Sequence, residues 1–203
     1  MLRRILIWLL LVVMMATAVF AADSYLTQRT LAEKTIRLHV VANSDSDADQ
    51  QQKLRVRDAV LQTAARLTAS CKTASEARAA LSEGIDDIEA AARQVLRAES
   101  SNASVRVTLQ TEMFETRRYD TFTLPAGEYP SLCVTIGAGA GHNWWCVVFP
   151  SLCTVATGDG VERIASVGGF ADEECDLVTG GEEKYVLRFK TLEWLRKLAE
   201  LFS

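Results

Sequence analysis

The sequence predicts an α+β domain: two N-terminal helices packed on a mainly antiparallel sheet, with a C-terminal amphipathic helix, forming a single exported domain. Three observations carry that expectation. Apolar residues recur at helical spacing between residues 47 and 98, and they alternate with polar residues in several segments beyond residue 104. Helices segregated from a run of strands, without strict alternation of the two, indicate α+β rather than α/β. The extreme N-terminus, in turn, has the composition of an export signal.

That N-terminus reads MLRRILIWLLLVVMMATAVFAADS. Arg3 and Arg4 precede an apolar run from Ile5 to Phe20, and small residues follow. The run of 16 residues is short against the ~20 of a usual spanning helix, which favours export with cleavage near Ala21 or Ala22. An uncleaved N-terminal membrane anchor over 1–22 is the alternative, with the functional domain occupying 23–203. Without Arg3 and Arg4 the basic count falls to 20 against 26 acidic residues, a formal net charge of −6. Nucleic-acid binding draws on clustered cations, so this balance argues against it.

A polar connector is expected from Asp23 to Lys34. Thr35 to Val41 then alternates as a strand should, with Ile36, Leu38 and Val40 on one face and Arg37, His39 and Val41 on the other. NSDSDAD stops it, and Ser46 with Asp49 three residues later offers a helix cap. The first helix is expected from about Asp47 to Ala69, burying Val56, Val60, Ala64 and Leu67. A second is expected from about Ser75 to Ala98, on Ala77, Leu81, Ile85, Ile88, Ala92 and Val95, with Gly84 as its weak point. ESSNAS, residues 99 to 104, ends the helical half.

Strands are expected over Val105 to Gln110, Arg117 to Leu124 and Leu132 to Ile136, with a turn at Pro125 to Gly127. The run from Thr157 to Glu183, rich in Gly, Asp and Glu, reads as a long loop. A last strand, Tyr185 to Phe189, precedes a helix from Leu192 to Leu201 with Leu192, Leu195, Leu198 and Phe202 on one side.

The chemistry concentrates in GHNWWCVVFPSLC, Gly141 to Cys153, which holds one of only two histidines and two of four tryptophans. His142 and Cys146 share a face on a helix, whereas on a strand they lie roughly 13 Å apart. Val147, Val148 and Phe149 favour the strand, and with it a cysteine that is a core residue or half of a disulfide rather than a nucleophile. A bridge from Cys146 to Cys153 would close a short loop around Pro150. Cys133, His142, Cys146 and Cys153 lack paired metal-ligand spacing, so no metal site is expected. GAGAGH lacks the Lys-Ser or Lys-Thr of a phosphate loop, and Asp45, Asp47 and Asp49 lack the glutamate that completes a calcium loop, Val56 standing in its place. No cofactor is expected. If the block is a strand, Trp144 and Trp145 point to opposite sides, one inward and one outward; both could also lie in the core.

RLHVVANSDSDADQQQKLRVRDAVL, residues 37 to 61, and FETRRYDTFTLPAGEYPSLCVTIGAGAGHNWWCVVFPSLC, residues 114 to 153, resemble the two long motifs of the stage II sporulation protein R family. LHVVANSD, LPAGEY and GHNWWCVVFP in that order are specific to it. The chain departs from the family pattern at Ser151 and Thr154, where a second proline and an aromatic residue are expected. The resemblance implies a developmental signal, not an enzyme. Such a protein is made in the forespore and exported into the space between forespore and mother cell, close to the septal membranes. Its implied partner there is a membrane-embedded aspartic peptidase, which it activates and which processes pro-sigma-E. The contact is expected on His142, Asn143, Trp144 and Trp145, with Arg37, His39, Asn43 and Asp45 beside them. The rival reading is a secreted cysteine-dependent hydrolase acting on cell wall or peptide.

Overall fold

A computed structural model describes residues 1–152 and 158–179 of the chain. It opens with a single helix, α1, over Leu2–Glu33. Its apolar stretch is unburied, and the helix is long and apolar enough to cross a membrane. The expected polar connector is therefore helical, a correction whose cause is the burial of its far end in the domain. Thr27 and Thr30 hydroxyls donate to the carbonyls of Asp23 and Leu26, and Arg29 pairs with Glu33 one turn on. Leu31 and Ala32 then bury this end of the helix in the domain.

β1, Ile36–Val41, alternates as expected: Ile36, Leu38 and Val40 are fully buried. α2, Asp47–Leu67, begins at Ser46, whose hydroxyl accepts from the Asp49 amide. The expected second helix is two, α3 over Ala74–Glu83 and α4 over Ile85–Ala98. The break falls at Gly84, which sits against the Leu67 side chain at the end of α2: a Cβ there would lie 2.5 Å from it.

β2 spans Val105–Phe114, β5 spans Gly127–Ile136 and β6 spans Asn143–Phe149. The strand expected from Arg117 to Leu124 is instead a small hairpin, β3 Arg117–Arg118 with β4 Thr123–Leu124, closed by the Tyr119 amide on the Phe122 carbonyl at 2.8 Å. The four-stranded sheet runs β2-β5-β1-β6 and is mixed. β5 pairs antiparallel with β2 and β1 antiparallel with β6, but β1 and β5 are parallel. Chain direction at the centre is set by the helical excursion between β1 and β2, which returns the chain to the far side of the sheet.

One sheet face carries the main core. Leu38, Val40, Leu132, Val134, Val107 and Cys146 meet Val56, Val60, Leu81, Ile88 and Leu96 of the helices. A second core joins Leu31, Leu124, Val147, Leu152 and residues of α5 (Gly158–Val167) and α6 (Asp172–Thr179). The expected loop over residues 157 to 183 thus contains two helices. The turn at Gly168 and Gly169 hid their period from the sequence, yet Val161, Ala165, Phe170, Cys175 and Val178 are buried. Glu174 accepts from the Ala171 amide at 2.7 Å and holds Lys34 at 2.6 Å, tying α6 to the end of α1. The predicted strand Tyr185 to Phe189 and amphipathic helix Leu192 to Leu201 lie outside the described residues.

Leu38 is buried at the centre of the sheet, so Leu38→Ala should cost about 2–5 kcal/mol in denaturant unfolding. Met113→Ala, at a position 48% exposed, should change the midpoint little.

Candidate functional site

β6 delivers the two tryptophans to opposite sides. Trp144 remains 38% exposed, and the Arg57 guanidinium of α2 lies over its ring at 4.4 Å. Trp145 points to the other face, stacked on His39 with ring centroids 3.8 Å apart and edge-on to Phe114 at 5.0 Å. His142 and Asn143, just before them, are exposed. A groove of about 650 Å³ separates this strand from the hairpin, lined among others by Arg117, Arg118, Tyr119, Asn143, Trp144 and Trp145.

The loop entering the block is held by the NSDSDAD turn. The Asn43 Oδ1 accepts from the Ala138 amide at 3.0 Å, while its Nδ2 donates to Asp49 at 2.9 Å. Ser44 Oγ donates to the same Asp49 oxygen at 2.5 Å. Asp45 Oδ1 accepts from the His142 amide at 2.6 Å and also contacts the His142 ring Nδ1. Lys53, nearly fully buried, donates to the His142 carbonyl at 2.8 Å and to Gln50 at 2.6 Å. The glycines of GAGAGH belong to this joint. Gly137 sits at φ 56°, where a Cβ would fall 2.1 Å from Asn43 Oδ1, and a Cβ on Gly141 would fall 2.2 Å from the Ser44 carbonyl oxygen. They are needed for close approach of two loops.

This network leaves an electrostatic mark. The His142 amide, and then its ring, hold the Asp45 carboxyl below its ordinary value, and the Ser44 hydroxyl and Asn43 amide do the same for Asp49. Burial pushes the Lys53 ammonium down.

On the opposite sheet face Arg37 is fully buried between Phe114, 4.0 Å from its guanidinium carbon, and Tyr129 at 5.0 Å. Its Nη2 donates to the Tyr119 hydroxyl at 3.0 Å, while Nε and Nη1 have no hydrogen-bond partner among the described residues. Next to it, His39 Nδ1 stands 3.2 Å from Glu112 Oε1 and 3.8 Å from Cys133 Sγ. Burial works to raise the Glu112 pKa, but Ser131 and His39 beside it outweigh that and leave it lowered; burial, then Glu112, pushes the Cys133 thiol up.

The eight residues singled out from sequence thus fall into two groups. Asn43, Asp45 and His142 build the loop joint that leads into Asn143 and exposed Trp144; on the opposite sheet face His39 stacks on Trp145, and Arg37 packs on Phe114, which meets Trp145 edge-on. Arg57, Lys53 and Glu112 were missed, and Cys133 was weighed only with His142, Cys146 and Cys153, because each reaches the site across strands or from a helix, and no local spacing announces that. Cys146 is buried and disulfide-bonded, whereas Cys71, Cys133 and Cys175 are not in disulfides. Cys153 lies outside the described residues. A disulfide-bonded Cys146 offers no thiolate, and the His142 ring is turned to Asp45, so the pair does not form a nucleophile and its base.

The sequence pattern described as Stage II sporulation protein R matches residues 32–159, which include every residue of this site. The chain belongs to that family. Stage II sporulation protein R of Bacillus subtilis (strain 168) is 39% identical over 123 residues, covering 61% of this chain and 55% of that relative. The chain thus spans about half the length of this curated relative. No solved structure matches. Within this sporulation family, then, the two motifs legible in the sequence are the two halves of one structural joint, with β6 emerging from it.

Because Asp45 and Asp49 titrate below their ordinary value of 3.8, the stability they contribute is present above that pH and is lost as pH falls through their lowered folded values. Thermal unfolding followed downward from about pH 5 should therefore show a decline that the Asp45→Asn, Asp49→Asn double variant lacks in part. Gly137→Ala should destabilise by about 1 kcal/mol or more, since the positive φ and the Asn43 contact both oppose a side chain.

Proposed function

We propose that this protein is an exported sporulation signal, made in the forespore, that acts from the intermembrane space on a membrane-embedded aspartic peptidase and switches on its processing of pro-sigma-E. The observation that carries this reading is Trp144. A large aromatic side chain is held 38% exposed on a regular strand, inside the family's motif, with Arg57 fixing its ring. Tryptophan and arginine together are the residue types that dominate binding energy at protein interfaces, and a ring already immobilised loses little further entropy on docking.

Activation requires differential binding. A ligand with equal affinity for both states of the peptidase shifts nothing, while a preference of about 2.7 kcal/mol for the active state changes the ratio a hundredfold. Trp144, Asn143 and His142 would supply that preference by contacting a surface that only the active peptidase presents. The apolar N-terminal helix supports the location, since by length and composition it can direct the chain to a membrane and, if retained, keep the domain beside one.

Co-expression of the full chain with the peptidase and its pro-sigma substrate in a non-sporulating host tests the proposal. Processing should depend on the chain. Trp144→Ala should be exported and folded but lose most processing, whereas Trp145→Ala, which removes the ring stacked on His39 and edge-on to Phe114, should lower stability first. Equal processing with and without the chain, or full activity of the Trp144 variant, would remove the basis of this reading.

A further inference from the structure

Three strands bring His39, Glu112 and Cys133 together on the sheet face away from α2, α3 and α4. His39 and Cys133 are direct neighbours across the parallel β1 and β5 pair. Glu112 comes from β2, one strand further out, and its side chain reaches the imidazole across Ser131 of β5. The ligand atoms of all three lie within 4.8 Å of one another. We infer that these three side chains form a binding site for a divalent transition-metal ion of the zinc class. This goes beyond the signalling role and does not rest on it.

The spacing fits such an ion. Metal bonds of about 2.3 Å to sulfur and about 2.0–2.2 Å to imidazole nitrogen and carboxylate oxygen place the donors of a tetrahedral ion roughly 3.3–3.6 Å apart. His39 Nδ1 stands 3.2 Å from Glu112 Oε1 and 3.8 Å from Cys133 Sγ, on either side of that range. One thiolate, one imidazole and one carboxylate match zinc or cobalt better than the oxygen-seeking magnesium or calcium. The two anionic ligands also neutralise a dication, so the bound site adds no net charge to a largely buried face. The His39 and Glu112 side chains keep 13% and 20% exposure, which leaves solvent a route to the ion and to a fourth position.

Neighbouring groups hold the donors in place. Trp145 stacked on the imidazole fixes its plane, and the Gln110 amide donates to Glu112 Oε1 at 3.2 Å. Glu112 Oε2 is buried with no hydrogen-bond partner among the described residues, as is His39 Nε2. In the metal-bound form Nε2 keeps the ring proton without the acceptor that metal-bound histidines usually have, which places the site at the weaker end of such affinities. A catalytic relay is the less fitting use of the same residues. Cys133 and Glu112 both address Nδ1, whereas a relay needs thiol and carboxylate on opposite ring nitrogens.

The test uses the full chain with the Cys146 disulfide intact, stripped with a chelator in detergent micelles, and titrated with cobalt(II). Binding of one cobalt per chain, with the visible bands of a tetrahedral ion and a near-ultraviolet thiolate charge-transfer band, is expected. Cys133→Ser should abolish the thiolate band, and His39→Gln or Glu112→Gln should weaken binding at least about tenfold. Cys71→Ser, outside the cluster, should leave the spectrum unchanged. Absence of stoichiometric cobalt binding by the unaltered chain would overturn the inference whatever the variants do. So would a thiolate band that survives in Cys133→Ser.

Discussion

β1 is hydrogen-bonded on both edges and covered on both faces, and the rest of the molecule is arranged by that constraint. A strand in this position must divide its side chains cleanly, because a slip of one residue would send the charged set into the helical core. Leu38 and Val40 go to the helices, and Arg37 and His39 go to the opposite face. The pairing with β5 and β6 then fixes which residues those two strands can offer to each face. Trp145 meets His39, and Trp144 meets α2, because β6 runs antiparallel to β1 in one register from Arg37 to Val41, after a shift between Ile36 and Arg37.

The turn after β1 performs a second task. Asn43, Ser44 and Asp49 form a closed set of hydrogen bonds at the start of α2, and the same Asn43 side chain reaches the loop between β5 and β6. Two segments nearly a hundred residues apart are locked together by side chains that would otherwise cap a helix and nothing more. Glycine at 137 and 141 is a consequence of that approach. The exposed tryptophan thus rests on a strand whose entrance is fixed, and the two family motifs are one physical object.

Much of this was legible in the residues. Alternation marked β1 and the start of β2; the spacing of Val56, Val60 and Ala64 marked α2; Ser46 marked its first turn. The opposite placement of Trp144 and Trp145 follows from strand geometry alone. Other features resisted reading for identifiable reasons. Residues 23 to 33 are polar enough to resemble a connector, yet Leu31 and Ala32 have a core to enter, and tertiary burial extends the helix. α5 and α6 are short, and each finds its apolar partners in the other and in Leu124, Val147 and Leu152, so neither carries a long period of its own.

The amino-acid order by itself determined β1, α2 and the cap at Ser46, since their period and capping depend on neighbours within a few positions along the chain. It also determined the apolar N-terminal helix and the family motifs. Only the tertiary structure decided the parallel pairing of β1 with β5, the seat of Arg37 between two aromatic rings, and the meeting of His39, Glu112 and Cys133. Those outcomes depend on register between strands that are far apart in sequence. Residues on separate strands carry no mutual spacing until the sheet brings them together.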